Sequence, residues 1–72
     1  MDNKKIGELL LHLRGDKTQK EIAEAVGVSQ SAIRQYEHGN RSPSDVVKYR
    51  LSKLFEMPVQ DLFFQDIFFD QH

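Results

Sequence analysis

The chain has 72 residues, enough for one domain near the lower limit at which a single apolar core holds a fold without staples. It has no cysteine, which excludes disulfides and thiolate metal sites and suits a reducing cytoplasm, and no apolar run approaches the roughly 20 residues of a membrane span. Its net charge of −1 hides a partition: all ten Lys and Arg lie between positions 4 and 53 with six acids, a net +4, whereas Glu56, Asp61, Asp66 and Asp70 stand later with no Lys or Arg, a net −4, and Asp2 supplies the remaining −1.

Five helices are predicted. The first covers about residues 4–14: Asp2 or Asn3 can cap it, and Ile6, Leu9, Leu10 and Leu13 recur at helical spacing. This apolar run is broken by Gly7, Glu8 and His12 and does not read as a signal peptide. Gly15 and Asp16 end the helix. The second opens at Thr18 with Glu21 three residues on, a capping box in which each side chain satisfies an otherwise orphaned backbone N–H. Its buried stripe reads as Ile22, Ala25 and Val26, with Ala23 on an adjoining face, and Gly27 ends it where a left-handed residue costs glycine least. Ser29 caps the third helix, which runs to about residue 38. Ala32, Ile33 and Tyr36 fall on one side of it, leaving Gln30, Ser31, Arg34 and Gln35 outward. Gly39 and Asn40 stop it, and Arg41, Ser42 and Pro43 form a loop.

A fourth helix starts near Ser44, with Asp45 favouring its N-terminal dipole, and carries Val46, Val47, Leu51, Leu54 and Phe55. Met57 and Pro58 separate it from a short fifth helix over about residues 59–64. Residues 65–72 hold Ile67, Phe68 and Phe69 without a clear helical period.

The informative stretch is residues 18–43, TQKEIAEAVGVSQSAIRQYEHGNRSP. It describes two short helices joined by a tight turn, with Ala23 small enough to let them approach and Val28, Ile33 and Tyr36 apolar where the second must dock. The outward face of that second helix presents polar side chains without intramolecular partners. Such a helix fits the major groove of DNA, where its N-terminal residues reach base edges.

Thr-Gln-x-Glu-Ile-Ala, then Gly-Val-Ser, then Ile33, Glu37, Gly39 and Pro43, resembles the Cro and phage-repressor (Xre) family of helix-turn-helix proteins over about residues 4–64. The resemblance implies an all-α, five-helix, lambda-repressor-like DNA-binding domain over residues 1–64, its motif at about 18–38. A short apolar and acidic C-terminal tail follows over residues 65–72. It implies base contacts from Gln30, Ser31, Arg34 and Gln35, with Gln30 suited to pair bidentately with adenine. Backbone contacts would come from Thr18, Gln19, Asn40, Arg41 and Ser42, Gln19 also bracing Gln30. Arg14 and Glu37 match a family pair that forms a structural salt bridge between the first and third helices. Lys17 departs from the leucine common before the threonine, and the acidic, Phe-rich end is unlike the start of a further oligomerisation domain.

Leu62 and Phe63 suit packing beneath the core. The phenylalanine density of residues 63–69 nevertheless exceeds what a short helix buries on one face, so that segment is expected to be a self-association or partner surface, with Phe64, Ile67, Phe68 and Phe69 foremost. Acids beside these aromatics would turn the segment away from phosphates. His12, His38 and His72 are widely separated and no grouping has metal-ligand spacing, so neither metal nor cofactor is expected. No nucleophile elbow or phosphate loop occurs, and Glu21 and Glu24 suit capping and solvation, so no enzyme or small-molecule substrate is expected. The expectation is a cytoplasmic, homodimeric, phage-type repressor or Cro-like regulator of a lysogeny switch, bound to a pseudo-palindromic double-stranded DNA operator. The alternative is an antirepressor or modulator that binds a cognate repressor protein.

Overall fold

The computed structural model describes residues 2–64, so Ile67, Phe68 and Phe69 lie outside the described residues. Five α-helices and no strand are found within it: α1 (Asn3–Arg14), α2 (Gln19–Val26), α3 (Gln30–Glu37), α4 (Asp45–Phe55) and α5 (Val59–Phe63). Four of the five are opened by a side chain that accepts otherwise orphaned backbone N–H groups. Asp2 accepts from the N–H groups of Lys4 at 2.9 Å and Lys5 at 3.3 Å, which settles the first cap as Asp2. Thr18 and Glu21 form the reciprocal box, with both bonds at 3.0 Å. Ser29 and Ser44 cap α3 and α4, accepting from Ala32 and Val47. Gly27 closes α2 in the left-handed region, at φ 75°. Glu56 takes the same region at φ 53° to end α4, one residue before the expected break at Met57.

α3 packs against both α1 and α2, α2 against α4, and α5 against α4 and α1. The core between them comprises Ile6 and Leu10 of α1, Ile22, Ala23 and Val26 of α2, Ala32, Ile33 and Tyr36 of α3, Val47 and Leu51 of α4, and Leu62 and Phe63 of α5. Burying an aliphatic or aromatic side chain of this kind is worth about 1.5–3 kcal/mol, so the two α5 residues contribute heavily for so short a helix. The approach of α1 to α3 depends on Gly7. A Cβ built there would lie 2.3 Å from the Glu37 carbonyl oxygen and 2.6 Å from that of Tyr36, so the end of α3 rests directly on the α1 backbone.

Three expectations about the core change. On α2, Ala25 is exposed and Ala23 is buried, because α3 docks on the Ala23 flank and needs a small side chain there. On α4, Val46 is 58% exposed, while Lys48 and Ser52 are buried; the buried stripe passes through Val47 and Leu51 and leaves Val46 outside it. Leu62 and Phe63, 0% and 1% exposed, pack in the core as their pattern suggested, so the expected self-association segment loses Phe63, whereas Phe64 is half-buried against the same core.

Candidate nucleic-acid interface

α2, the turn 27–29 and α3 form a rigid unit. Gly27 donates its N–H to the Ala23 carbonyl at 2.8 Å, and Val28 donates to the same oxygen at 3.0 Å, closing α2 tightly before Ser29 opens α3. Val28 is half-buried against the core, and Ala32, Ile33 and Tyr36 fix the inner side of α3. Gln30, Ser31 and Arg34 are exposed along its outer side and Gln35 is half-buried. The Gln30 side chain has no hydrogen-bond partner among the described residues, so its amide donor and acceptor are both available.

The second group lies at the start of α2 and beyond the end of α3. Thr18, Asn40, Arg41 and Ser42 are exposed and Gln19 is half-buried. Asn40 donates its N–H to the Gln35 carbonyl at 3.0 Å, which folds the loop back on α3. The same loop rests on α1, since a Cβ at Gly39 would come within 2.9 Å of the Lys4 Cα.

Glu37 ties these parts together. Its carboxylate accepts from Arg14 Nε at 2.7 Å and Arg14 Nη2 at 3.3 Å, a bidentate pair joining α1 to the end of α3. Arg14 Nη1 donates to the Lys17 carbonyl at 2.8 Å, bracing the α1–α2 corner. Gln19 Nε2 donates to Glu37 Oε1 at 2.9 Å. That last bond differs from the expected brace on Gln30: Glu37 and Gln30 sit at opposite ends of α3, so the Gln19 amide secures the α3 C-terminus. Sequence reading missed this third partner, whose only signal was a polar residue eighteen positions from Glu37. It also missed Arg50, whose Nη1 donates to the Val26 carbonyl at 3.1 Å and locks α4 onto the end of α2.

Electrostatically, the Glu21 carboxyl is held below the ordinary glutamate range, first by the Thr18 backbone N–H and then by the Thr18 hydroxyl. It completes the cap of α2 in its ionised form. No group of three or more His, Cys, Asp or Glu residues that could hold a metal ion occurs among the described residues, and no helix there is long and apolar enough to cross a membrane.

A helix-turn-helix family model matches residues 8–62. Two similar proteins of Archaeoglobus fulgidus, each described as an uncharacterized HTH-type transcriptional regulator, are 37% and 35% identical to this chain over 49 residues. The alignments cover 68% of this chain and 70% and 69% of the two relatives. No solved structure matches. A family match spanning all five helices but the ends of α1 and α5, over a two-helix unit with a tight glycine turn, places this chain in the Cro/C1-type (Xre) family of helix-turn-helix proteins.

Proposed function

We propose that this protein is a sequence-specific DNA-binding transcriptional regulator, acting as a repressor by occupying an operator. The observation that carries the reading is the outer side of α3. Gln30, Ser31 and Arg34 are exposed there on a helix whose inner side is fixed by buried Ala32, Ile33 and Tyr36. A solvated polar stripe alone would say little. On a capped helix of a helix-turn-helix unit it supplies hydrogen-bonding groups of the kind that read base edges. Gln30, Ser31, Arg34 and Gln35 are assigned to bases, and Thr18, Gln19, Asn40, Arg41 and Ser42 to the sugar-phosphate backbone. Gln19 keeps one amide N–H for a phosphate after giving the other to Glu37. Two subunits would bind half-sites about 34–36 Å apart on a pseudo-palindromic operator. The protein works in the cytoplasm and performs no catalysis.

Titration of fluorescent duplexes, first random and then enriched by selection, tests this at two salt concentrations. The expected result is binding that weakens with salt and strengthens on the selected sequence. Failure to bind any duplex at low salt would sink the reading. It would favour the second one, a modulator that docks on another regulator, for which the specific support is the four acids without a Lys or Arg after position 53.

A further inference from the structure

The outer face of α4 has no role in the reading above. Val46 is 58% and Tyr49 57% exposed, on one side of the helix, and Lys53 extends that side, its Nζ 5.3 Å from the centroid of the Tyr49 ring. Arg50, held by its bond to the Val26 carbonyl, borders the same face. Two large apolar side chains side by side in water, rimmed by cations, form a surface that calls for an apolar and acidic partner. Two such faces meeting in a two-fold pair would bring four cations, Lys53 and Arg50 of each copy, into one apolar seam.

This chain carries a segment of the complementary kind. Residues 65–72 run Gln-Asp-Ile-Phe-Phe-Asp-Gln-His, an apolar triplet with an aspartate on each side and no Lys or Arg. Eight extended residues reach about 26–29 Å, and the eleven of α4 cover about 16 Å, so the segment can lie along the whole face. The chain leaves α5 elsewhere. Lys48 Nζ stands 5.2 Å from the Phe64 ring centroid, and Lys48 and Ser52, both buried, form the covered flank of α4 on that side. At 100° per residue Lys48 points well away from Val46 and Lys53. A segment returning on its own subunit would spend part of its reach crossing that covered flank before it met Val46 and Tyr49, which leaves the open face to a second copy.

We infer that the α4 face formed by Val46, Tyr49 and Lys53 receives the acidic, phenylalanine-rich segment 65–72 of a second copy, reciprocally in a two-fold dimer. The apolar triplet covers Val46 and Tyr49, and the aspartates meet Lys53 and Arg50. This rests on the proposed dimeric regulator and names the two surfaces that make the dimer.

The test is a charge exchange on the full chain, read by sedimentation velocity and native mass spectrometry, with circular dichroism to confirm that every variant stays helical. One variant is Lys53→Glu; the other combines Asp66→Lys with Asp70→Lys. Each alone sets like charges against like and should weaken self-association by about tenfold or more. Mixed, the acidic face of one variant finds the basic segment of the other, and the remaining contact is native, so the mixture should form a heterodimer. Val46→Ser with Tyr49→Ser should give monomer without loss of helix. A mixture that stays monomeric overturns the proposal. So does wild-type protein that is monomeric throughout, or that remains dimeric in every variant. Duplex titration of the same samples separates this outcome from the functional reading: DNA binding that survives while the exchange fails leaves the regulator in place and removes only this interface.

Discussion

α3 and α4 start alike and finish differently. Each is opened by a serine whose hydroxyl accepts a backbone N–H, at 3.1 Å for Ser29 and 3.3 Å for Ser44, and each buries one side in the same core. Their outer sides diverge. α3 shows water Gln30, Ser31 and Arg34, while α4 shows Val46 and Tyr49 beside Lys53. Polar groups on α3 lose nothing while they wait, because water satisfies them; they gain when a partner offers better-placed donors and acceptors. Apolar groups on α4, already partly covered, forgo further burial worth about 1–2 kcal/mol each for as long as they are bare. One helix is thus suited to a partner that is read by hydrogen bonds, and the other to one that is held by burial.

The strongest way to break the comparison is to undock α3. Gly7→Ala places a methyl 2.3 Å from a backbone oxygen, where neither side can swing away. The helix propensity of alanine offsets about 1 kcal/mol. The forced separation should still leave a net loss of about 3 kcal/mol, a large share of the stability of a domain this small. Urea denaturation measures it, and stability within about 0.5 kcal/mol of wild type would contradict the close approach of α1 to Glu37. Any folded remainder should bind DNA worse, since the end of α3 and its loop have lost their seat.

A milder cut at the same joint is Arg14→Met. It leaves the Glu37 carboxylate, 4% exposed, with Gln19 as its remaining side-chain partner. The expected cost is about 2 kcal/mol, below that of a fully buried pair because the Arg14 side chain is 19% exposed. The double change Arg14→Met with Glu37→Met should recover part of the loss, since no unpaired charge remains. Strict additivity in denaturation would mean that the two side chains act separately.

Gln30→Ala sharpens the contrast without touching the fold. Affinity for a selected duplex should fall by about 1–3 kcal/mol, random-duplex binding should hardly change, and self-association through α4 should not change at all. Arg41→Ala should instead weaken every duplex and reduce the salt slope by about one. Equal losses from Gln30→Ala on both duplexes would remove it from base readout.

Helix ends were the most legible part of this sequence, because their causes are local. Thr18 with Glu21, Gly27, Ser29 and Ser44 each act within three or four residues, and the structure uses all of them. The motif was legible for the same reason, its turn and caps lying in one short stretch. What could not be read locally was the direction from which distant elements arrive. Ala23 is chosen over Ala25 by where α3 docks. Val46 is left outside because the core of α4 is set by α2 and α5. Lys48 has its stem buried and its ammonium over the Phe63 and Phe64 rings, at 5.7 and 5.2 Å from their centroids, a placement that depends on where α5 docks. The Gln19–Glu37 bond joins positions eighteen apart and exists only once α2 and α3 have packed.

The smallest predicted effect falls on the α2 cap and depends on pH. Glu21 accepts the Thr18 N–H at 3.0 Å, and this bond, ahead of the Thr18 hydroxyl, holds its carboxyl below the ordinary range. A folded-state value below the unfolded one means that the ionised carboxylate stabilises the fold. The contribution is complete above the ordinary glutamate range near about 4.3, and it disappears as pH falls through the lowered folded-state value. Glu21→Gln keeps an oxygen for the Thr18 N–H but cannot ionise. Wild type should therefore be the more stable protein at neutral pH, and the difference should vanish in stronger acid. Paired urea titrations across that range, at constant ionic strength, provide the check. A difference that is the same at both ends would show that the Glu21 charge adds nothing to the cap. Because Glu21 sits at the start of α2, the same pH change in the wild type–variant difference should not appear in the proposed dimerisation through α4. This separates the hydrogen-bonded side of the molecule from the apolar one.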